Sequence, residues 1–422
     1  MTAQTAASPR RRIAVTIAMI VTLLGTATGC GAFETPQARP CAWLGKTDND
    51  RDVGTAHTAV LVDRTASTRA GRDTPAGREV PDWPATVLAA DYLAPEALEG
   101  GDLSVSGFDG TRTSIGWEVD RAVVTPVRGV ARRRADERQR RTNCLRQRIG
   151  EVAGGTARTP NTDLLGALAA TREQLGPQGR RRVLVATDGL VNTGCADLRS
   201  VGFDRAEIAT IIESCARAGE LPDLAGIDVA IRGIGHLGTG NPPSSPQTAW
   251  LVDLWQGMCA AAKAASCRVE GAARIVSAGG PADPLAEPAI DFPTGRTTTA
   301  GPVTTIVLPD SLLFATDRAE LSPEALAQLD DAAHRLIGLG RVRVVVTGNT
   351  DSRGSKARGE ELSQARADAV RTELLKRGVT DVTARGDADR HPMCSPEYRG
   401  TVPDYRAMAC NRRVEIVATV QP

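Results

Sequence analysis

Short apolar runs rich in β-branched residues alternate with amphipathic segments over the first two thirds of the chain. Residues 58–62, 182–187 and 227–234 are runs of this kind, each suited to a buried strand. Between the first two, Asn161-Thr162-Asp163 opens a helical pattern, and residues 250–264 are predicted to form an amphipathic helix. Strands that alternate with helices predict an α/β domain built on a mainly parallel sheet.

The last third of the chain carries a second, separate pattern. Ser322 and Pro323 are typical of the N-cap and first position of a helix. The pattern predicts the order β-α-β-α-β, with a further strand or loop around residues 382–385. The predicted strands are 304–308, 342–347 and 414–420, and the predicted helices begin at Pro323 and span 363–377.

Two polar stretches divide these blocks. Residues 30–56 are predicted to be a tether, and residues 276–302, rich in Pro, Gly and Thr, are predicted to be a linker. The expected domains are therefore residues 57–275 and 303–422. Each is long enough for its own core.

The N-terminus has the pattern of an export signal. Three arginines at positions 10–12 precede an uncharged apolar run over residues 13–24. Ala27-Thr28-Gly29-Cys30 resembles a bacterial lipobox, although Ala27 stands where a large aliphatic residue is usual. The resemblance implies a signal peptide over residues 1–29 and lipidation of Cys30. An uncleaved membrane anchor and ordinary secretion are the alternatives, and all three place the remaining chain in the cell envelope on the extracytoplasmic side.

Composition narrows the classes of function. The chain has 422 residues, 41% of them hydrophobic, and a net charge of +1, so no general basic field attracts nucleic acid. The four histidines show no zinc spacing, and the chain contains neither a Gly-x-Ser-x-Gly elbow nor a Walker loop. We therefore expect no enzymatic activity, with a cell-wall hydrolase or other envelope enzyme as the alternative.

Nine arginines crowd the short stretch between Arg128 and Arg148. Contact with an anionic wall polymer or lipid headgroups is one interpretation of this run. A solvated helix face is the other.

Nine cysteines are an odd number for an exported chain. If Cys30 carries lipid, eight remain, and proximity in sequence favours three disulfides, with the fourth as remainder. The predicted pairs are Cys195–Cys215, Cys259–Cys267, Cys394–Cys410 and Cys41–Cys144. The second pair requires the helix that contains Cys259 to end before Cys267, because eight residues of helix span about 12 Å. Free buried thiols are the alternative.

Hydroxyls and acids follow two of the predicted strands, where ligands of parallel sheets collect. Asp63-x-Thr65-x-Ser67, then Thr162, then Asp188-Gly189 resembles the metal-ion-dependent adhesion site of a von Willebrand factor A domain. The resemblance implies a Rossmann-like fold over residues 57–275 and an Mg²⁺ ion, or Ca²⁺ or Mn²⁺. It also implies a protein partner whose carboxylate completes the metal's ligands. Thr65 and Ser67 would bind the metal by side-chain oxygens, and Thr162 would bind it directly or through water. Asp63 and Asp188 would act mainly indirectly, by contacting the ligands rather than the metal. Simple turn and cap roles are the alternative.

The last block resembles the OmpA-like peptidoglycan-binding domain, an α+β fold. The matching segments are Leu313-Phe314-Ala315-Thr316, Leu321-Ser322, Thr350-Asp351-Ser352-Arg353-Gly354, Leu362-Ser363-x-x-Arg366-Ala367 and Asn411-Arg412-Arg413-Val414-Glu415-Ile416. Two positions depart from the family pattern: Gly359 replaces a usual Asn, and Gly386-Asp387-Ala388-Asp389 replaces a Gly-x-Gly segment.

The resemblance implies binding of the diaminopimelate in the peptide stem of peptidoglycan. Asp351 would hold its ammonium, and Arg366 would fork onto its carboxylate. Arg366 is expected in the first turn of its helix, where the dipole favours the same anion. Thr350 and Asn411 are expected to line the pocket. An ordinary surface ion pair between Asp351 and Arg366 is the alternative.

Together these features predict a lipid-anchored protein that ties a membrane to the cell wall.

Overall fold

The computed structural model describes residues 41–45, 56–71, 74, 77–111, 115–277 and 285–422. The predicted signal peptide, Cys30 and most of the predicted tether lie outside these residues. Within the described ranges, no helix combines the length and hydropathy that crossing a membrane requires.

A six-stranded sheet organises the N-terminal domain, residues 56–277. Its order is β4-β3-β1-β5-β6-β7, parallel throughout except that β4 runs antiparallel to β3. Strands β2 and β8 form a separate antiparallel pair. The strands are β1 Ala56–Asp63, β2 Glu79–Pro81, β3 Asp102–Phe108, β4 Val119–Val123, β5 Arg180–Ala186, β6 Ile227–Arg232, β7 Ser266–Glu270 and β8 Ile275–Ser277.

Helices cover both faces of this sheet. The central strand β1 shows why: Ala59 and Leu61 lie in one apolar core, and Val60 and Val62 lie in the core on the opposite face. Helices α4 to α6 supply the first core and α1 to α3 the second. The helices are α1 Trp83–Leu88, α2 Pro95–Leu98, α3 Ala131–Ala153, α4 Leu164–Leu175, α5 Arg205–Ala218 and α6 Ser245–Ala261. The predicted mainly parallel α/β sheet is confirmed.

The C-terminal domain, residues 296–422, is a five-stranded sheet of order β12-β11-β15-β10-β9. Only β11 and β12 pair in parallel, and β13 and β14 form a small separate ribbon. The strands are β9 Arg296–Ala300, β10 Val303–Pro309, β11 Val342–Asn349, β12 Val382–Ala388, β13 Tyr398–Arg399, β14 Val402–Pro403 and β15 Arg413–Val420. The helices are α7 Asp310–Leu313, α8 Pro323–Gly338, α9 Lys356–Lys376 and α10 Tyr405–Asn411.

Two elements depart from the sequence predictions. Strand β9 lies inside the predicted linker, because its Thr-rich residues pair with β10 at a sheet edge although all five are exposed. Helix α9 begins at Lys356, not at residue 363. Its first two turns carry mainly charged and polar residues, which give no apolar stripe, and the Ser355 hydroxyl caps it by accepting from the Arg358 amide.

The four predicted disulfides are present. Helix α6 ends at Ala261 and β7 begins at Ser266, which satisfies the condition on Cys259–Cys267. Cys41–Cys144 ties residues 41–45 to helix α3, and Leu44 beside it is buried in the core. Residues 41–45 of the predicted tether are therefore fixed to the N-terminal domain.

The arginine run forms most of helix α3. Arg138 pairs with Glu96 and Glu99, and Arg148 pairs with Glu151. These pairs favour the interpretation of a solvated helix face, since local acids already take up part of its charge.

Candidate functional site

The predicted metal residues converge at the carboxyl ends of β1 and β5. The strand order runs outward from these two neighbours in opposite directions, so a crevice opens between them. Asp63 ends β1 and is fully buried. Its carboxylate accepts from the Thr65 amide at 3.0 Å and the Thr65 hydroxyl at 2.6 Å, and from the Thr187 hydroxyl at 2.7 Å.

Three hydroxyls lie in front of this carboxylate. Thr65 Oγ1 is 3.5 Å from Ser67 Oγ and 2.9 Å from Thr162 Oγ1. Thr162 immediately precedes the N-cap of α4, and its amide donates to Asn192 Oδ1 at 2.9 Å, which fixes its position. The structure therefore brings together Asp63, Thr65, Ser67 and Thr162, four of the five predicted metal residues.

The fifth residue, Asp188, completes the group with an unsatisfied oxygen. Its Oδ1 accepts from the Leu190 amide at 2.9 Å, whereas Oδ2 is buried with no hydrogen-bond partner in the described part of the chain. Burial is the main cause that raises the pKa of Asp188, and the nearby charges of Asp63 and Glu287 raise it further. Burial, followed by the charge of Glu287, raises the pKa of Asp63 to about 7.

These residues fit a hard divalent cation chemically. Hydroxyl and carboxylate oxygens are the ligands that Mg²⁺ takes, and a cation would compensate the buried acids and the unpaired Asp188 oxygen. No group of three or more His, Cys, Asp or Glu with metal-binding geometry is present among the residues described, so the hydroxyls would have to contribute. The metal itself stays a prediction.

Sequence reasoning missed Glu287, which also enters this site. It lies in the predicted linker, where an acid before Pro288 gave no signal. Its Oε2 accepts from the Ser67 amide at 2.9 Å, and its Oε1 lies 2.8 Å from Thr162 Oγ1 and 2.9 Å from Asn192 Nδ2. Its partners are thus the residues predicted to bind metal and their neighbour.

The second candidate site lies at the end of β11, in the C-terminal domain. Asp351 is buried, and its Oδ2 accepts from Arg353 Nη2 and from Arg412 Nη1, each at 2.6 Å. Burial alone would raise the pKa of Asp351, but hydrogen bonds from Arg353 and the charge of Arg412 outweigh it and hold this pKa below its usual range.

Arg366 is also buried, and it has different partners. Its Nη1 lies 3.1 Å from Asp310 Oδ2, its Nε donates to the Arg318 carbonyl at 2.9 Å, and its guanidinium lies over the Phe314 ring. The predicted position in the first turn is wrong, because α9 begins at Lys356 and Arg366 lies almost three turns into it. The helix dipole therefore gives Arg366 no added attraction for an anion.

The two residues predicted to line the pocket, Asn411 and Thr350, differ in how far their side chains are held by neighbouring groups. The Asn411 side chain accepts from the Met393 and Cys394 amides and donates to the Cys394 carbonyl and to Glu397. It fixes the loop closed by Cys394–Cys410. Thr350 faces Gly359, where an added Cβ would lie 3.3 Å from its hydroxyl, so the glycine gives the Thr350 side chain room.

A contact between the two domains covers Asp351. Asp204, the N-cap of α5, lies 2.9 Å from Arg353 Nη2, and the Gly202 carbonyl accepts from Arg412 Nη2 at 3.0 Å. A Cβ at Gly202 would lie 2.4 Å from the Tyr405 carbonyl oxygen, so this close approach depends on glycine. Sequence reasoning did not predict this contact, since Asp204 and Arg353 are 149 residues apart.

Comparisons with known proteins match parts of this chain. The chain is 28% identical over 234 residues to outer membrane protein P5 of Haemophilus influenzae, covering 54% of this chain and 60% of the relative. It is 37% identical over 103 residues to the peptidoglycan-associated lipoprotein of Pseudomonas aeruginosa, and this match covers 24% of this chain and 58% of the relative. The chain thus spans about three fifths of the length of each.

Among solved structures, the cell wall anchor of the T6SS from Pseudomonas aeruginosa is 27% identical, with a TM-score of 0.27 and coverage of 30% of this chain and 88% of that one. The profile of the OmpA family matches residues 313–396. The match contains Thr350, Asp351 and Arg366. The chain therefore carries an OmpA family domain in its C-terminal part.

Proposed function

We propose that the chain binds peptidoglycan non-covalently through its C-terminal domain and a carboxylate-bearing protein through a metal site in its N-terminal domain. The observation that supports wall binding best is the OmpA family match, which includes both residues expected to hold diaminopimelate. The name of the Pseudomonas aeruginosa relative, peptidoglycan-associated lipoprotein, points the same way. With a lipid on Cys30, the protein would tether a membrane to the wall.

Asp351 and Arg366 supply opposite charges for a zwitterion. The carboxylate of Asp351 would bind the ligand's ammonium, and the guanidinium of Arg366 would bind its carboxylate. In the structure Arg353 and Arg412 pair with Asp351, and Asp310 pairs with Arg366, so the ligand must displace these partners. Arg353 and Arg412 also lie beside Asp204, and Asp310 also lies beside Arg412, so the displaced charges keep a partner of opposite sign.

The metal proposal depends on the strand order and on the chemistry of the crevice. Asp63 and Asp188 lie at the point where the sheet order reverses, and three hydroxyls lie beside them. The sequence resemblance to an adhesion site concerns the same five residues. When bound, the ion would supply positive charge for a partner's carboxylate. The side-chain oxygens of Thr65, Ser67 and Thr162 would hold the ion.

Removing the charge of Asp351 tests wall binding. We expect Asp351→Asn to reduce affinity for isolated peptidoglycan about tenfold or more, because a charge-assisted hydrogen bond contributes about 1.5–3 kcal/mol. Co-sedimentation of the chain with diaminopimelate-containing peptidoglycan measures this. Asp368→Asn, which removes an exposed acid from α9, is the matched control. Equal sedimentation of Asp351→Asn and the control would contradict the proposal.

Separating the domains should have the opposite effect. Gly202→Ala places a methyl group against the Tyr405 carbonyl, so it should break the contact that covers Asp351. We expect severalfold tighter binding to peptidoglycan in the same assay. Repeating Asp351→Asn in this background shows whether the gain uses the proposed site, and a gain that survives loss of Asp351 would speak against it.

A further inference from the structure

Glu287 lies within the group of predicted metal residues, although it belongs to a segment expected to be a linker. Both of its oxygens are used: one accepts from the Ser67 amide, and the other lies within hydrogen-bond distance of Thr162 and Asn192. Asn192 also donates to the Pro288 carbonyl at 3.2 Å. The backbone and the side chain of this segment are therefore held at the same point.

Apolar residues further along fix the same segment. Phe292 is buried against Phe203, with ring centroids 5.0 Å apart, and Ile290 packs against the core that α4 to α6 share. Burial of the Phe292 side chain removes its apolar surface from water and so holds this short segment in place. Glu287 is thus positioned by its neighbours as well as by its own hydrogen bonds.

The charges around Glu287 are not balanced by the described protein. Asp63, Asp188 and Glu287 interact electrostatically, and none of the three has a basic side chain among its described partners. Among the residues that the structure describes, none hydrogen-bonds the buried Asp188 Oδ2. Two of these three neighbouring carboxylates are fully buried, and burying negative charge without a partner is costly. A bound cation would compensate that charge.

We propose that Glu287 is the carboxylate ligand of the metal site, supplied by the chain itself. It contacts Ser67 and Thr162, which would bind the metal, so residues 285–292 occupy the place of an external ligand. An acidic protein partner would bind only by displacing this segment. The inference rests on the proposed metal site and deepens it, because it names both the resident ligand and the group that a partner must present.

The test uses Mn²⁺ with the full chain. Bound Mn²⁺ relaxes the protons of coordinated water, so relaxivity reports whether water or protein occupies a coordination position. We expect Glu287→Ala to bind Mn²⁺ about tenfold more weakly by calorimetry and to show higher relaxivity per bound ion. Acetate, used as a carboxylate probe, should lower that relaxivity in Glu287→Ala and leave the unsubstituted chain unchanged.

Two further variants separate the possible failures. Asp291→Asn removes an exposed charge from the same segment and should match the unsubstituted chain in both measurements, whereas Glu287→Gln keeps the size of the side chain and guards against misfolding. If Mn²⁺ binds and Glu287→Ala and Glu287→Gln change neither affinity nor relaxivity, the internal ligand is wrong and the metal site stands. If Mn²⁺ does not bind the unsubstituted chain, the internal ligand is wrong, and the metal site is wrong with it unless Glu287→Ala binds Mn²⁺.

Discussion

Asp310→Ala is expected to destabilise the C-terminal domain by about 3–5 kcal/mol. Asp310 is the ion-pair partner of Arg366, at 3.1 Å, and both side chains are largely buried. Removing the acid leaves the Arg366 guanidinium buried with only the Arg318 carbonyl and the Phe314 ring as described partners. A buried charge that loses its partner costs more than the intact pair contributes.

The measurement can assign the loss to one domain. All five tryptophans precede residue 256, so tryptophan fluorescence follows the N-terminal domain, while circular dichroism follows both. We expect urea unfolding by circular dichroism to shift without a matching shift in fluorescence. Asp330→Ala, which breaks the more exposed pair with Arg377, is the control and should cost below about 1 kcal/mol.

A double variant tests the physical reason. Asp310→Ala combined with Arg366→Met removes both charges, and we expect it to recover most of the lost stability, since paired apolar replacements of buried ion pairs are often neutral. Simple addition of the two single effects would show that the two side chains do not act as a pair.

Glu207 should make the protein less stable as the pH rises. It is fully buried, and this burial raises the pKa of Glu207 to about 7 in the folded chain. The folded state therefore holds its proton between about pH 4.5 and 7, where the unfolded chain releases it. Stability falls as the pH increases through this window, by up to about 3 kcal/mol in total from this one group.

Glu207→Gln isolates this contribution. Glutamine keeps an oxygen for one of the Gly202 and Asp204 amides, which now donate to Glu207, and it does not titrate. We expect the free energy of unfolding of the variant to decline less between pH 4.5 and 7 than that of the unsubstituted chain. Glu213→Gln, on the exposed face of the same helix, should retain the full decline. Parallel pH profiles for all three proteins would contradict the assignment.

The local elements followed from the sequence wherever the pattern was strong. The apolar runs at residues 58–62 and 182–187 became β1 and β5, and Ser322 caps α8 as predicted. The start of α9 was missed, because its first two turns carry mainly polar residues. The Thr-rich strand β9 was missed for a related reason, since an exposed edge strand needs no apolar alternation.

The candidate metal residues were predictable because their types and their places after strands are local features. Parallel strands end at one edge of a sheet, so Asp63 and Asp188 had to come close once β1 and β5 were neighbours. Glu287 was not predictable in this way. Its role depends on where residues 285–292 pack, and Phe292 determines that by a contact with Phe203, far away in sequence.

The sequence by itself determined the strands β1, β5 and β6, the helices α4, α6 and α8, the four disulfides, and the residue types at both candidate sites. Its information is local, because hydrophobic periodicity, caps and motifs are read over a few neighbouring residues. Only the tertiary structure decided the pairing of those residues. Arg366 lies against Asp310, Asp204 of one domain reaches Arg353 of the other, and residues 285–292 place Glu287 among the hydroxyls of the candidate metal site. Each of these contacts joins positions at least 50 residues apart, and packing of the whole chain is what brings them within 3.1 Å or less.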